Sequence, residues 1–232
     1  MEDVVHQDVG EHPLGLRRSG RIEQPTQHGR YRGRAAGDLG PGHLVAAAMT
    51  YYDYVRQHVW AAAGMTGTRF LTRPEWQTGR NTAHPYFHDP QGQWTDGTAR
   101  FRYIVGDAAG DAFTTCADLD RFGRRLWQQR LLDPGHTALT LSGKVPMPRA
   151  GTSPGDGNGV PAQANFQCYG PMGALVAVQW VFNHGGGNSL GVSTSLEVYP
   201  ETDWGVVILS NCAGSAVPLT AALARKLSTA ER

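Results

Sequence analysis

Three cysteines in 232 residues, Cys116, Cys168 and Cys212, are too few, odd in number and too widely spaced for a disulfide framework. None forms a Cys-x-x-Cys pair, so no zinc site is expected, and the three read as small buried thiols. The chain has no run of about 18 apolar residues, which leaves no candidate transmembrane helix. Its start, Met1-Glu2-Asp3-Val4-Val5-His6, lacks the basic-then-apolar order of a secretory signal, and no compartment is assigned. Neither sign of charge dominates: 21 Lys+Arg against 20 Asp+Glu give a net charge of +1, with no global field to attract nucleic acid or a membrane surface. No feature of the chain requires a metal or a cofactor.

With 40% hydrophobic and 18% charged residues, the composition is that of a globular protein long enough for one or two domains. Residues 1–49 are rich in Gly, Arg, His and Pro and follow neither helical nor strand periodicity, so they form a poorly ordered segment set apart from a domain over 50–232. Arg17, Arg18, Arg21, Arg30, Arg32 and Arg34 resemble a basic arm, but Tyr31 is the lone aromatic among them and no nucleic-acid fold surrounds them. Translation of GC-rich DNA in a wrong frame also gives such a composition.

From Thr50 the pattern becomes helical. Tyr51, Tyr54, Val55, His58 and Val59 make one largely apolar face of a helix over 50–62, which Gly64 ends. Residues 71–108 carry Pro74, Pro85 and Pro90 and read as loops with a short strand over 101–105. His84 and His88 stand four apart, yet Pro85 between them opposes the helix that a shared metal would need. Thr115-Cys116-Ala117-Asp118 has the form of a capping box and opens a helix to about residue 130. Leu119, Phe122, Leu126 and Trp127 form its buried stripe, while Asp120, Arg121, Arg124, Arg125 and Gln128 face water. Asp133 as cap and Pro134 at the first position start another helix, which stops before Gly143. After a structureless connection over 143–165, a meander of strands begins at Phe166. The run Trp204 to Asn211 is apolar on both faces and reads as a central strand. Ser215 caps a last helix whose Leu219, Leu223 and Leu227 face the sheet, with Arg225 and Lys226 near the negative pole of its dipole.

The organising stretch is Trp180-Val181-Phe182-Asn183-His184-Gly185-Gly186-Gly187. An apolar strand arrives and breaks into a histidine and three glycines, whose missing Cβ atoms leave room for another backbone or a ligand. Two further strand-like runs follow, 191–199 and 204–211. His-Gly-Gly followed by these runs resembles the C-terminal part of the β-lactamase-related serine hydrolases, which include class C β-lactamases, DD-peptidases and esterases. Tyr52-Asp53-Tyr54-Val55 with Ala63-Gly64-Met65-Thr66, and Gly110 to Thr115 with Asp118-Leu119, resemble two further family stretches in the expected order, so the likeness covers about 50–228.

The resemblance implies an α/β (α+β) fold, an antiparallel meander with flanking helices plus a helical region, as an incomplete β-lactamase/transpeptidase-like fold. Its substrate would be a small molecule or peptide: a β-lactam, a D-amino-acid peptide or an ester. By the same resemblance His184 would steer the substrate, Gly185 and Gly186 would leave room for it, and the Gly187 N–H would donate to an oxyanion. The family's nucleophile lies in Ser-x-x-Lys and its proton relay in Tyr-x-Asn. Neither motif occurs here; Ser142, with Lys144 two positions on, comes nearest. The chain is therefore expected to be inactive alone, or to be a ligand-binding module derived from the family. It is also expected to expose a sheet edge and so to self-associate. Two rival readings concern the glycines: a tight turn between strands, or the oxyanion loop of an α/β-hydrolase. The second needs a Gly-x-Ser-x-Gly elbow, which Gly191-Val192-Ser193-Thr194-Ser195 does not complete.

Overall fold

A run such as Val192-Ser193-Thr194-Ser195-Leu196-Glu197-Val198-Tyr199 sends alternate side chains to opposite faces, so it needs cover on both sides. A computed structural model describes residues 49–101, 104–147, 162–213 and 216–229 and supplies that cover as helices on both faces of a sheet. The segment before residue 49 and the expected cap Ser215 lie outside the described residues. The sheet has six antiparallel strands, β3 (Val145–Met147), β4 (Ala162–Gln167), β5 (Met172–Val176), β6 (Gln179–Asn188), β7 (Val192–Tyr199) and β8 (Trp204–Ser210). Spatial order follows chain order, as the expected meander requires. A two-stranded hairpin, β1 (Tyr86–His88) and β2 (Trp94–Asp96), precedes it.

Leu196 and Val198 of β7 join Phe182 of β6 and Val207 of β8 on one face, against Phe122 and Leu126 of helix α3 (Cys116–Trp127) and Leu141 of α4 (Pro134–Leu141). Burying such side chains contributes roughly 1.5–3 kcal/mol each. Gly123 lets α3 approach closely, since a Cβ there would lie 2.8 Å from Val198 Cγ2. On the other face Ala174, Val176, Val181 and Tyr199 form a second cluster with Val206, under helix α5 (Ala216–Ser228). A third cluster, Trp60, Ala63 and Met65 with Leu119 and Phe122, ties helix α1 (residues 51–63) to α3.

Helix α1 spans 51–63 as expected, capped by Thr50, whose side chain accepts from the Asp53 N–H, and ended by Gly64 at φ 70°. Its middle, Val55–Trp60, is a π-turn, and Trp60 and Ala63 are buried in place of Tyr54 and His58, which stack on each other outside. Helix α2 (Arg73–Thr78) stands where a loop was expected; Thr72 and Glu75 form its capping box around Pro74. The expected strand over 101–105 does not form: Phe101 is irregular, 104–105 are a bend, and 102–103 lie outside the described residues.

In α3 the buried stripe includes Gly123 and Leu126, while Trp127 is 39% exposed because the helix ends there. The charged side of α3 is not merely solvated: Arg124 bonds Asp120 and Asp203, Arg125 bonds the Ala62 carbonyl, and Arg121 bonds Asp118. In α5 the expected leucine face is reversed, with Leu223 and Leu227 exposed and Val217, Ala221 and Ser228 inside. Arg225 sets that rotation by reaching into the sheet. β8 has helices over both faces and, among the described residues, a strand partner on one side alone, β7, where a central strand was expected. Of the cysteines, all free, Cys168 is buried, Cys212 half-buried and Cys116 exposed at the start of α3.

Candidate functional site

The strand does not break at His184. β6 runs unbroken through His184, Gly185, Gly186 and Gly187 to Asn188, paired with β7 from Phe182↔Val198 to Asn188↔Val192. On its other side β5 pairs only as far as Met172↔Asn183. The last five residues of β6 therefore overhang, bound on one side and unpaired by strand on the other among the described residues. Thr194 on β7 donates its hydroxyl to the Gly186 carbonyl, 3.2 Å away, so that carbonyl faces β7. Alternation along an antiparallel ladder then turns the N–H groups of Gly185 and Gly187 towards the open side.

His184 stands opposite Leu196, which stands opposite Val207, so its imidazole rises from the face that carries α3. His184 is exposed, and its imidazole makes no hydrogen bond or ion pair among the described residues. The three glycines are exposed too, and they are not equivalent. A Cβ at Gly187 would lie 2.6 Å from the Val192 carbonyl and one at Gly185 3.0 Å from that of Thr194, whereas at Gly186 the nearest atom is the rotatable Thr194 hydroxyl at 3.4 Å. The hairpin itself thus requires glycine at 187 and tightens around 185. Only at Gly186 does the bare backbone serve an approach from outside. The tip is braced by the β1–β2 hairpin: Tyr86 bonds the Asn211 carbonyl and accepts from Ala213, and Asn211 Nδ2 donates to the His84 carbonyl.

Other polar groups gather elsewhere. Lys144 donates to Ser142 and lies 5.2 Å from the centre of the Tyr169 ring, but Ser142 caps the C-terminal, electronegative end of α4, which favours an ammonium and opposes an alkoxide. Ser142 also adjoins β3, three strands from β6. His84 faces Thr98 at 3.1 Å and His88 the Gly92 carbonyl at 2.8 Å, so each imidazole is engaged separately. A cavity of about 300 Å³ beside α2, lined by residues between Arg69 and Thr82, does not include His184 to Gly187, which form an open rim.

Two buried charged centres escaped sequence reasoning. Asp118 is 1% exposed and accepts from the Gly67 N–H (2.8 Å), Thr68 Oγ1 (2.7 Å) and Arg121 (2.7 Å); its carboxylate tethers the turn after α1 and does not close the capping box. Glu197, also 1% exposed, takes a two-pronged bond from Arg225 and a 2.7 Å bond from the Tyr199 hydroxyl. Burial first, then the charge of Glu197, pushes the Tyr199 phenol well above its ordinary value. Burial alone would lower the pKa of Arg225, but its bonds to Glu197 raise it. A carboxylate inside an apolar strand, with an arginine in the last helix, was the available signal.

A helix–sheet–helix layer with a histidine and three glycines on an overhanging strand defines a fold shared with penicillin-binding proteins. The penicillin-binding protein from Bacillus halodurans is similar at TM-score 0.60 and 21% identity, over 76% of this chain and 49% of that one. The octameric penicillin-binding protein homologue from Pyrococcus abyssi follows at 0.59 and 16%, over 78% and 38%. The D-amino acid amidase from Ochrobactrum anthropi SV3, complexed with L-phenylalanine amide, matches at 0.56 and 18%, over 80% and 52%. The chain thus spans about half or less of the length of these structures. No curated protein matches it. A family model described as Beta-lactamase matches residues 23–231, and the chain belongs to that family. The match starts earlier than the resemblance traced from Thr50. No helix among the described residues is long and apolar enough to cross a membrane.

Proposed function

We propose that this polypeptide provides the substrate-side strand of an acyl-serine hydrolase site and, by itself, no nucleophile or general base. One observation carries the reading: β6 outruns β5, so the N–H groups of Gly185 and Gly187 face outwards beside an unbonded His184. In such a site the Gly187 N–H donates to the developing oxyanion, His184 orients the substrate, and Gly186 leaves space for it. Ligands of the classes named for its structural relatives, penicillins and D-amino acid amides, fit an edge that offers backbone donors. A triad hydrolase stripped of its attacking residues keeps only about 10³–10⁴ over water, so no useful turnover is expected of this chain alone.

A second reading, a ligand-binding module without catalysis, is favoured by the His184 imidazole, which no general base or acid among the described residues engages. Labelling with a fluorophosphonate and with a fluorescent penicillin separates the two from an active enzyme. The expected result is no covalent adduct, with saturable amide shifts at residues 184–188 on titration with a D-amino-acid amide. One serine labelled stoichiometrically overturns the loss of catalysis; absence of any saturable shift overturns the binding edge.

A further inference from the structure

The cavity of about 300 Å³ beside α2 shares no residue with the His184 rim, and the proposed function leaves it unused. Two chain segments line it, and both are fixed. In the first, Arg69 exchanges a pair of 2.9 Å backbone bonds with Phe113. In the second, the loop carrying Arg80 and Asn81 folds back on the end of α2, where the Thr82 hydroxyl donates to the Trp76 carbonyl (3.0 Å) and the Gly79 carbonyl (2.8 Å). Gly79 permits that closeness, since a Cβ there would lie 2.9 Å from the Glu75 carbonyl. Trp76, 6% exposed, packs its ring 6.1 Å from that of Phe113 and so ties the two segments together.

The charges around this cavity do not neutralise one another. Arg69 and Arg80 make no side-chain hydrogen bond and no ion pair among the described residues, and the Asn81 amide makes no bond either. Thr72 donates its hydroxyl (2.6 Å) and its N–H (2.7 Å) to Oε2 of Glu75, while Oε1 has no donor and no cation among the described residues. Those bonds hold the Glu75 carboxyl below its ordinary range, so it is charged at neutral pH. A simple anion would meet Glu75, and a simple cation would meet two arginines. A ligand carrying both signs satisfies all three. We propose that the cavity binds a small zwitterion, a free amino acid, with its carboxylate on the Arg69 and Arg80 guanidiniums and the Asn81 amide and its ammonium on Glu75 Oε1. The planar guanidinium fork matches a carboxylate in shape as well as charge. The volume lies at the small end of ligand sites, which run from roughly 300 to 1,000 Å³, and so suits one amino acid and not a peptide. Leu71, half-buried in the lining, offers an apolar contact for its side chain. The proposal does not depend on the hydrolase reading.

Amide spectra of the full chain titrated with D- and L-alanine, propionate and D-alanine amide test this. Saturable shifts at residues 69–82 are expected for alanine of at least one hand. Propionate lacks the ammonium and the amide lacks the carboxylate, so each should bind there at least tenfold more weakly. Arg69→Gln and Arg80→Gln, both at exposed positions, should each weaken alanine at least tenfold and leave the circular-dichroism spectrum unchanged. Glu75→Gln keeps a side chain able to close the capping box and should bring alanine down to the level of propionate. Absence of a saturable shift at 69–82 overturns the proposal. So does propionate or the amide binding there as well as alanine, or any of the three variants binding alanine unchanged. The amide is also the ligand expected at 184–188, so the segment that shifts separates failure of this site from failure of the rim.

Discussion

Glu197 and Arg225 show how one buried pair decides the seating of a helix. The carboxylate is enclosed between β7 and α5, with Tyr199 donating to it and the guanidinium closing over it. Removing one partner of a buried pair strands the other, at a cost of about 3–5 kcal/mol. Arg225→Met should fall in that range, because Glu197 has nowhere to hydrate. Glu197→Ala should cost less, since the Arg225 side chain is 27% exposed and can turn to water. Urea unfolding of the two variants checks the order. The same centre gives an alkaline limit. The Tyr199 phenol is held neutral in the folded chain above its unfolded value of about 10. The folded state then binds the extra proton, so its contribution to stability is full below about pH 10 and is lost as pH rises further. Tyr51 and Tyr52, raised by burial and then by Asp107, add to that slope. Urea midpoints should drop above pH 10, and less steeply in Tyr199→Phe.

At the scale of elements, the β6–β7 hairpin separates structural glycine from functional glycine. Gly187→Ala drives a Cβ into the Val192 carbonyl and should lower the melting temperature, whereas Gly186→Ala should leave it nearly unchanged while blocking a ligand on the open edge. A thermal melt and an amide titration on both variants give opposite patterns if this assignment is right. Helix α3 begins at Thr115, whose hydroxyl accepts from the Asp118 N–H, and Thr115→Ala should cost about 1 kcal/mol, read from the urea midpoint.

These local signals explain what was legible in advance. Thr115, Asp133 with Pro134, and Gly64 announce helix ends through short-range bonds, and the alternation in 192–199 announces a strand. Helix α2 is hidden because a proline amid loop-like composition signals a break, whereas Pro74 occupies the first turn, with Thr72 and Glu75 spelling its cap. The leucine spacing in α5 misled because a buried ion pair, a long-range contact, outweighed the apolar stripe. For β8, sequence reports what lies above and below a strand, and both faces are indeed packed; it carries no mark of whether a neighbour stands alongside. The candidate rim was found from its residue types, but its cause was misplaced: a strand that breaks was expected, and one that continues past its neighbour is present.

For the molecule as a whole, the sheet is held by three clusters that all include β6–β8 or α3, so unfolding should be cooperative across residues 50–229. Urea unfolding followed by tryptophan fluorescence and by circular dichroism should therefore give coincident midpoints. Midpoints that differ between the two probes are the contrary result.

The turn at 168–171, where Gly170 takes φ 98° and Cys168 bonds the Pro171 carbonyl, fixes where β5 starts and therefore how much of β6 stays bare. That turn is a length gauge for the mouth. A longer β4–β5 hairpin would draw a shutter across His184 and Gly185 without altering a single side chain there, and a shorter one would widen the opening towards Phe182, trading core for access.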